Sequence, residues 1–291
     1  MKYTIFPGCL ISYRFPEYEK SAKLILQKLE VEFIPVDSFS CCGSQVLESI
    51  DDEKMVLLNA RNLAIAQELD IGSIITLCGS CTHILKKSLI KLHDNKILKR
   101  INKKLRLIGL KFFPKKKIEI IHIAEFLNKK EIFQKFQNLV VKKLEINIAV
   151  QNPCMVLRPS SISNLELKDR KIIRNLLTST GITASSYRYM NRCCGGTMLA
   201  FDDSIAKDLG KLRYKELQKS GANILAVGCP NCQLMYSIYQ NMLVDDVVPS
   251  IFFTQLLGLS IGFSQKDMEI DKNINTEIIS NILNNSIKNN G

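Results

Sequence analysis

The stretch Gly-Ser-Ile-Ile-Thr-Leu-Cys-Gly-Ser-Cys at residues 72–81 places an apolar, β-branched run directly before a C-x-x-C pair. Residues 221–232, Gly-Ala-Asn-Ile-Leu-Ala-Val-Gly-Cys-Pro-Asn-Cys, repeat the arrangement. Each run is typical of a buried strand, so each C-x-x-C pair is predicted to follow a strand end. Because one pattern occurs in each half of a 291-residue chain, the sequence indicates an internal duplication.

The ten cysteines follow the same order in both halves: a single cysteine, a vicinal pair followed by glycine, and the C-x-x-C pair. The spacings are C-x31-CC-x35-C-x2-C and C-x38-CC-x34-C-x2-C. Equivalent cysteines lie 145 to 152 residues apart, which a duplication explains. The two sets are Cys9, Cys41, Cys42, Cys78 and Cys81, and Cys154, Cys193, Cys194, Cys229 and Cys232.

Strand and helix patterns alternate around these cysteines. Further strands are predicted at Lys2–Phe6, Val31–Val36, Glu145–Gln151 and Ser185–Tyr189. Helices are predicted at Glu17–Leu29, Asp51–Leu69, Lys168–Thr178 and Ser204–Lys219, and others are predicted to begin at Thr82 and Gln233. This alternation favours an α/β fold with partly parallel sheets, whose sites lie in loops at strand ends. We predict two duplicated domains related by pseudo-twofold symmetry, residues 1–143 and 144–291, with C-terminal helices and a frayed tail from Asn284.

Composition restricts the class of protein. Hydrophobic residues make up 46% of the chain and charged residues 23%, which excludes wholesale disorder. Neither half contains a nucleotide-binding glycine motif. The most apolar window, Ile251–Phe263, is too short to span a bilayer, and the amino terminus has no signal-peptide core. The sequence therefore predicts a cytoplasmic protein without a membrane span.

The net charge of +12 belongs to one segment of the chain. Residues 86–117, which we call the basic segment, contain thirteen Lys or Arg and one acid, Asp94. Two interpretations stay open: a solvated helical face, or a docking patch for an acidic partner subunit. Nucleic acid is not predicted, because no binding motif accompanies the charge.

Five cysteines in each half admit three chemistries. Structural disulfides are disfavoured, because a bond between vicinal cysteines is strained and no secretory context exists. Zinc needs only four thiolates, usually from two C-x-x-C pairs. Thiolates also assemble iron–sulfur clusters, and this interpretation is favoured. Gly43, Gly195 and Gly196 follow the vicinal pairs, where the absence of a Cβ lets the backbone approach a cluster.

The double cysteine array resembles the cysteine-rich CCG-domain family, and in particular the B subunits of heterodisulfide reductases and their sulfur-oxidation relatives. The resemblance also covers Phe253-Thr-Gln-Leu-Leu-Gly-Leu, which is similar to the family's late helix. It implies two non-cubane [4Fe-4S] clusters, each held by one of the five-cysteine sets. It further implies two-electron reduction or formation of a disulfide or heterodisulfide between the two clusters, in sulfur metabolism.

The chain lacks a ferredoxin cysteine run and a flavin or nicotinamide fingerprint, so its electrons must come from elsewhere. The resemblance implies a C-like subunit with ferredoxin clusters and an A-like flavin subunit as partners. Gly43-Ser44-Gln45, and Asn152 and Met155 around Cys154, depart from the methanogenic pattern. These departures favour a sulfur-oxidation type complex or another disulfide or thiol substrate. The alternative is a non-catalytic iron–sulfur electron-transfer subunit of a lactate- or glycolate-oxidase-type complex.

Overall fold

A computed structural model of the chain describes residues 2–163, 165 and 170–288. Its strands are β1 (Tyr3–Phe6), β2 (Ser73–Thr76), β3 (Glu119–His122), β4 (Lys143–Leu144), β5 (Asn147–Gln151), β6 (Thr183–Ala184), β7 (Ile224–Val227), β8 (Ser250–Phe252) and β9 (Ile287–Lys288). Its helices up to Asn138 are α1 (Cys9–Arg14), α2 (Pro16–Lys28), α3 (Ser44–Ile50), α4 (Asp52–Glu68), α5 (Gly79–Lys91), α6 (Asn95–Leu105), α7 (Ile123–Leu127) and α8 (Lys130–Asn138). The later helices are α9 (Cys154–Leu157), α10 (Ile172–Thr178), α11 (Asp203–Gln218), α12 (Pro230–Gln233), α13 (Gln240–Leu243), α14 (Phe253–Ser260) and α15 (Thr276–Ser286).

Two parallel sheets carry the repeat. The first has the strand order β1-β2-β3, in register at Ile5, Ile75 and Ile121. A single bridge from Tyr3 to Phe33 adds an edge contact beside β1. The second sheet has the order β6-β5-β7-β8, again all parallel. Both sheets therefore use the same spatial order of sequential elements, and the prediction of a duplicated α/β fold with parallel sheets is confirmed.

The second strand of each half is shorter than predicted. Of Val31–Val36, only Phe33 forms a bridge, to Tyr3 of β1, and the Ile34 N–H donates to the Tyr3 carbonyl at 2.8 Å. The strand predicted at Ser185–Tyr189 was wrong, since β6 covers Thr183–Ala184 and shares no residue with it. Beyond β6, the Ser185 N–H still donates to the Ile148 carbonyl at 2.7 Å, and the Tyr187 hydroxyl forms a buried hydrogen bond with Gln151.

The chain forms two compact units, and each unit consists of three segments that are not contiguous in sequence. One comprises Met1–Cys9, Val31–Ile123 and Met155–Asn164, and the other comprises Leu10–Glu30, Ala124–Cys154 and Leu165–Gly291. The first helical segment belongs to the second unit, because α2 packs there against α14. Tyr18 stacks on Phe252 with ring centroids 4.0 Å apart, and the Ser21 and Thr254 hydroxyls lie 2.7 Å apart. The limits 1–143 and 144–291 stay a prediction for the duplicated halves, as does their pseudo-twofold relation.

The remaining predicted helices are found close to their predicted limits, with two exceptions. The beginning of the helix predicted at Lys168–Thr178 lies outside the described residues. The tail predicted to fray from Asn284 instead continues α15 to Ser286, and β9 then pairs antiparallel with β4. Residues 289–291 lie outside the description. No helix in the described part of the chain combines the length and the apolar character that crossing a bilayer requires.

Candidate functional site

In the first unit, cysteines gather at the carboxyl ends of neighbouring parallel strands. Cys9 follows β1 after a Pro-Gly turn, and Cys78 and Cys81 follow β2. The vicinal pair Cys41 and Cys42 lies in the loop that precedes α3. Because parallel strands end at one edge of a sheet, residues 32 to 72 positions apart in sequence meet there.

The five sulfurs of this unit, which we call site 1, contact one another. The Sγ atoms of Cys9 and Cys41 are 3.3 Å apart, and those of Cys42 and Cys81 are also 3.3 Å apart. Hydrogen bonds join Cys41 to Cys42 and Cys81 to Cys78. The sulfurs thus form a chain in which each interacts with the next, and all five are free thiols.

Site 2, in the second unit, repeats this arrangement. Cys154 follows β5, and Cys229 and Cys232 follow β7. Hydrogen bonds join Cys154 to Cys193, and the Sγ atoms of Cys194 and Cys232 are 3.4 Å apart. All ten cysteines are described and none forms a disulfide, so both predicted sets come together.

The C-x-x-C cysteines lie at helix starts, earlier than the predicted starts at Thr82 and Gln233. Cys78 and Cys229 are extended and precede α5 and α12, and their carbonyls accept the first helical hydrogen bonds. Cys81 and Cys232 therefore lie in the first helical turn. Backbone N–H groups of a first turn favour negative charge, so these positions suit thiolates.

The glycines after the vicinal pairs turn their backbone N–H groups to sulfur. Gly43 has φ 82° and donates to Cys41 Sγ at 3.3 Å, and Gly195 has φ 95° and donates to Cys193 Sγ at 3.4 Å. The left-handed backbone at both positions favours glycine. Gly196 donates to Cys194 Sγ at 3.4 Å. These contacts bring all three glycines to the sites, while their role in holding a cofactor stays a prediction.

Hydrogen bonds between neighbouring thiols shift their pKa values in opposite directions. Hydrogen bonds from Cys42 and Cys9 lower the pKa of Cys41 to about 2, and bonds from Cys154 and Cys194 do the same for Cys193. Its hydrogen bond to Cys41, together with burial, raises the pKa of Cys42 to about 12. The pKa of the first cysteine of each vicinal pair is thus lowered, and that of the second is raised. Full ionisation requires positive charge placed among the sulfurs, which metal ions supply.

The donor set fits an iron–sulfur cluster. Five soft sulfur donors in a contacting chain match a polynuclear centre, whereas zinc takes four ligands around one point. Within residues 2–163, 165 and 170–288, no group of three or more His, Cys, Asp or Glu side chains is set to hold a single metal ion. Five contacting sulfur donors per site are a ligand set that several iron ions can share.

Exposure defines an open side of each site. Cys9 and Cys41 are exposed at site 1, and Cys154 and Cys193 are half-buried at site 2. The other six cysteines are buried: Cys42, Cys78, Cys81, Cys194, Cys229 and Cys232. In both sites, a molecule from solvent therefore first meets the single cysteine and the first residue of the vicinal pair.

The two sites differ in the groups behind the vicinal pair. At site 1, Asn59 donates to the Cys42 carbonyl at 2.9 Å, and Asn62 bonds both the N–H and the carbonyl of Ser40. At site 2, Arg213 donates to the Cys193 carbonyl and lies 5.1 Å from the Tyr189 ring centre. Arg213 is 7% exposed, and among the described residues no buried Lys or Arg lies beside site 1.

Site 2 also has a buried phenol network. The hydroxyls of Tyr187 and Tyr236 both donate to the Gln151 side chain. Burial raises the pKa of both tyrosines, so each stays protonated. Tyr236 lies in a π-helical turn, Leu234–Tyr239, a local irregularity that is common at functional sites. Sequence reasoning missed these residues and Arg213, and the available signal was a charged residue on the helix predicted at Ser204–Lys219.

Comparisons with known proteins agree with this geometry. The family described as cysteine-rich domain, CCG, matches residues 3–86 and 148–237. The B subunit of a ferredoxin/F(420)H(2)-dependent CoB-CoM heterodisulfide reductase from Methanosarcina acetivorans is 29% identical over 97% of this chain and 97% of its own length. An 8-methylmenaquinol:fumarate reductase membrane anchor subunit from Wolinella succinogenes is 25% identical over 94% of this chain and 96% of its own.

A solved structure of a hypothetical protein from Helicobacter pylori shares the fold. Its TM-score is 0.73 at 17% identity, and the alignment covers 94% of this chain. This chain spans about half of that one, 51%. The likeness concerns the fold alone.

Gly8 is a further site residue, and its substitution tests the geometry of site 1. A Cβ at Gly8 would lie 2.9 Å from Cys81 Sγ, and the φ of 79° also disfavours a side chain. We expect Gly8→Ala to lower iron bound per chain on anaerobic reconstitution by at least about half, because Cys81 must move. Gly109→Ala is the matched control, since Gly109 has φ 75° and a Cβ added there would meet nothing within 4 Å. Equal iron binding by the two variants would show that Gly8 does not fix Cys81.

Proposed function

This chain belongs to the cysteine-rich CCG domain family, and from that premise we propose that it is the disulfide-handling subunit of a heterodisulfide reductase-like complex. The observation that carries the proposal is the chain of five contacting thiols in each unit. Relatives named as the B subunits of heterodisulfide reductases align over nearly the whole chain. The reaction class is oxidation or reduction of sulfur groups.

The proposed cofactors are two non-cubane [4Fe-4S] clusters, one per site. Five sulfurs exceed the four that an ordinary cubane cluster uses, which supports the non-cubane form. Site 1 would use Cys9, Cys41, Cys42, Cys78 and Cys81, and site 2 would use Cys154, Cys193, Cys194, Cys229 and Cys232. When bound, such clusters supply or accept electrons singly. Gly43, Gly195 and Gly196 would hold the vicinal sulfurs through their N–H groups.

The proposed reaction is the two-electron, two-proton conversion of one disulfide into two thiols, or its reverse. Substrate sulfur would approach each site from its open side, at Cys9 and Cys41 or at Cys154 and Cys193. Buried groups exclude water behind the sulfurs. Tyr187 and Tyr236 stay neutral there and add no negative charge near Cys194 and Cys232.

The electrons would come from other subunits of the complex. We propose a C-like subunit with ferredoxin clusters and an A-like flavin subunit, in the cytoplasm and in sulfur metabolism. Support comes from the sequence, which has no nucleotide-binding motif and no ferredoxin cysteine run. The proposed substrate is a disulfide or thiol.

A non-catalytic electron-transfer subunit is the second candidate. The relative from Wolinella succinogenes, named as the membrane anchor subunit of a fumarate reductase, supports it. The two candidates differ in what the fifth sulfur does. Electron relay needs only four ligands for each ordinary cluster, whereas both sites have five sulfurs in contact.

The protein purified without oxygen is expected to contain about eight iron and about eight acid-labile sulfide per chain, because each site would hold one four-iron cluster. Elemental analysis and electron paramagnetic resonance check this number. Zinc in both sites with little iron would refute the proposal. Zinc in one site would limit it to the other.

Cys42→Ser and Cys194→Ser are each expected to abolish disulfide turnover, with at least about a hundredfold loss, since each removes one sulfur from a five-sulfur chain. The apoproteins should stay folded, because the apolar core is large and does not depend on metal. Turnover with an artificial electron donor and far-UV circular dichroism measure the two effects. Near-normal turnover by either variant, with electron relay intact, would instead support the second candidate.

Arg213 makes the two sites electrically different. Its buried cation lies against the Cys193 carbonyl, while the matching position of site 1 has the neutral Asn59 and Asn62. A buried positive charge favours any added electron nearby. Site 2 should therefore take up an electron at a higher potential than site 1.

We expect Arg213→Met to lower the potential of the site 2 signal by about 60 mV, a tenfold change for one electron. Arg213→Lys keeps the charge and should shift it less. Arg188→Met is the matched control, since Arg188 also lies over the Tyr189 ring but is exposed. Redox titration followed by electron paramagnetic resonance gives the values. An unchanged potential in Arg213→Met would show that the cation serves only to hold the loop.

A further inference from the structure

The cysteine sites do not use the basic segment, residues 86–117, and part of its charge is neutralised within the first unit. Its partners are acids on α3 and α4 and in the turn that follows α4. The ion pairs are Lys87–Glu48, Lys91–Asp52, Arg100–Glu53, Lys104–Glu53 and Lys116–Asp70. These five cations already pair with acids of the same unit, so the solvated-face interpretation is sufficient for them. Exposed ion pairs of this kind contribute little to stability.

Other cations of the segment form no ion pair with an acid in the part of the chain that the structure describes. Six of them, leaving aside Lys96 beside Asp94, are Lys99, Lys103, Arg106, Lys111, Lys115 and Lys117. Lys99, Lys103 and Arg106 follow one another at spacings of four and three, so they share one face of α6 and the turn after it. The face is therefore a stripe of unmatched positive charge.

Large apolar side chains project beside this stripe. Leu107 is 85% exposed, Ile108 58% and Phe113 46%. Next to them is a groove of about 450 Å³, with Ile65, Leu69, Ile108 and Leu110 as its apolar lining and Arg61 and Glu68 as its charged lining. An apolar centre with a charged margin is the usual composition of a protein interface.

The loop that presents these side chains is fixed by two buried amides. The Asn102 side chain accepts from the Phe112 N–H at 2.9 Å and donates to its carbonyl at 3.0 Å. Gln67 accepts from the Phe113 N–H at 2.9 Å and donates to the carbonyls of Phe113 and Lys116. A loop already held in shape loses little conformational entropy on binding, so this surface is pre-organised for a partner.

We propose that α6, the turn Arg106–Ile108 and residues 109–117 form the docking surface for an acidic amphipathic helix of a partner protein. The apolar groove would receive the apolar face of that helix, and the unmatched cations would meet its acidic flanks. The inference goes beyond the proposed function, because it concerns docking and holds whatever the cysteines bind.

A lipid surface fits these observations less well. The apolar face of α6 is already packed into the unit, since Ile101 and Leu105 are buried. A helix that binds in a membrane interface needs that face for the acyl chains. The groove is also concave, which suits a protruding helix.

The test places the photo-crosslinker p-benzoylphenylalanine at position 107 of the full chain, expressed in the organism that makes it. After illumination, mass spectrometry maps each adduct. We expect adducts in one protein segment that has apolar residues at helical spacing and flanking Asp or Glu. Position 242 in the second unit is the control, because Met242 is exposed to a similar degree, 68%. It should give none of that adduct.

Charge reversal completes the test. Lys99→Glu, Lys103→Glu and Arg106→Glu together should reduce the adduct about tenfold, since they replace attraction by repulsion. The matched triple, Lys28→Glu, Lys130→Glu and Lys211→Glu, makes the same change in net charge at exposed cations of the second unit and should leave the yield within about twofold. Both triples should keep the iron content of the unchanged protein, so loss of docking is separated from failure of the cysteine sites.

Four results would overturn the inference. Adducts only to lipid would assign the surface to a membrane. If adducts at position 107 are no more abundant than at position 242, the solvated-face interpretation is supported instead. The role of charge would be contradicted if the crosslinked segment had no flanking Asp or Glu. It would also be contradicted if the adduct yield were unchanged by Lys99→Glu, Lys103→Glu and Arg106→Glu together.

Discussion

Five thiols in contact at one edge of a sheet are the constraint on which each unit depends. Parallel pairing of β1 with β2, and of β5 with β7, brings distant cysteines to that edge. Once there, the sulfurs cannot all lose their protons unless positive charge joins them. The surrounding backbone supplies part of that charge as N–H dipoles, from glycines with left-handed φ and from helix starts. Metal ions would supply the rest.

Much of this could be predicted from the sequence, because its signals are local. An apolar run before C-x-x-C indicates a strand end, and repeating it indicates a duplication. The glycines after the vicinal pairs have a conformation that few other residues accept.

Other features depend on contacts between residues far apart in sequence. That α2 belongs to the second unit follows from Tyr18 stacking on Phe252, a contact that no local pattern encodes. The helix starts were predicted three residues late, because the pattern of apolar residues begins only after the cysteines. The roles of Arg213 and Tyr187 were invisible for the same reason. The role of each residue depends on a hydrogen bond to a distant group, and not on a local sequence pattern. Arg213 bonds the Cys193 carbonyl, and Tyr187 bonds the Gln151 side chain.

The duplication preserved the sulfurs but not what supports them. Asparagines hold the vicinal pair of one site, whereas a buried guanidinium and two phenols lie beside the other. A buried cation is costly unless it is well bonded, so its retention beside one site needs a reason other than stability. The proposed two-electron reaction would provide one, because unequal sites would set the order of the two electron transfers.

The same reasoning applies to the surface of the basic segment. Lys99 and Lys103 lie four residues apart on α6, and like charges at that spacing destabilise a helix by a few tenths of a kcal/mol. The exposed side chains of Leu107 and Ile108 do not pack in the core. Yet two buried amides hold the adjoining loop in one shape, and amides that are buried and fully bonded are strong determinants of local structure. A loop so firmly fixed, carrying groups that do not stabilise the chain itself, is best explained by what it presents to another molecule.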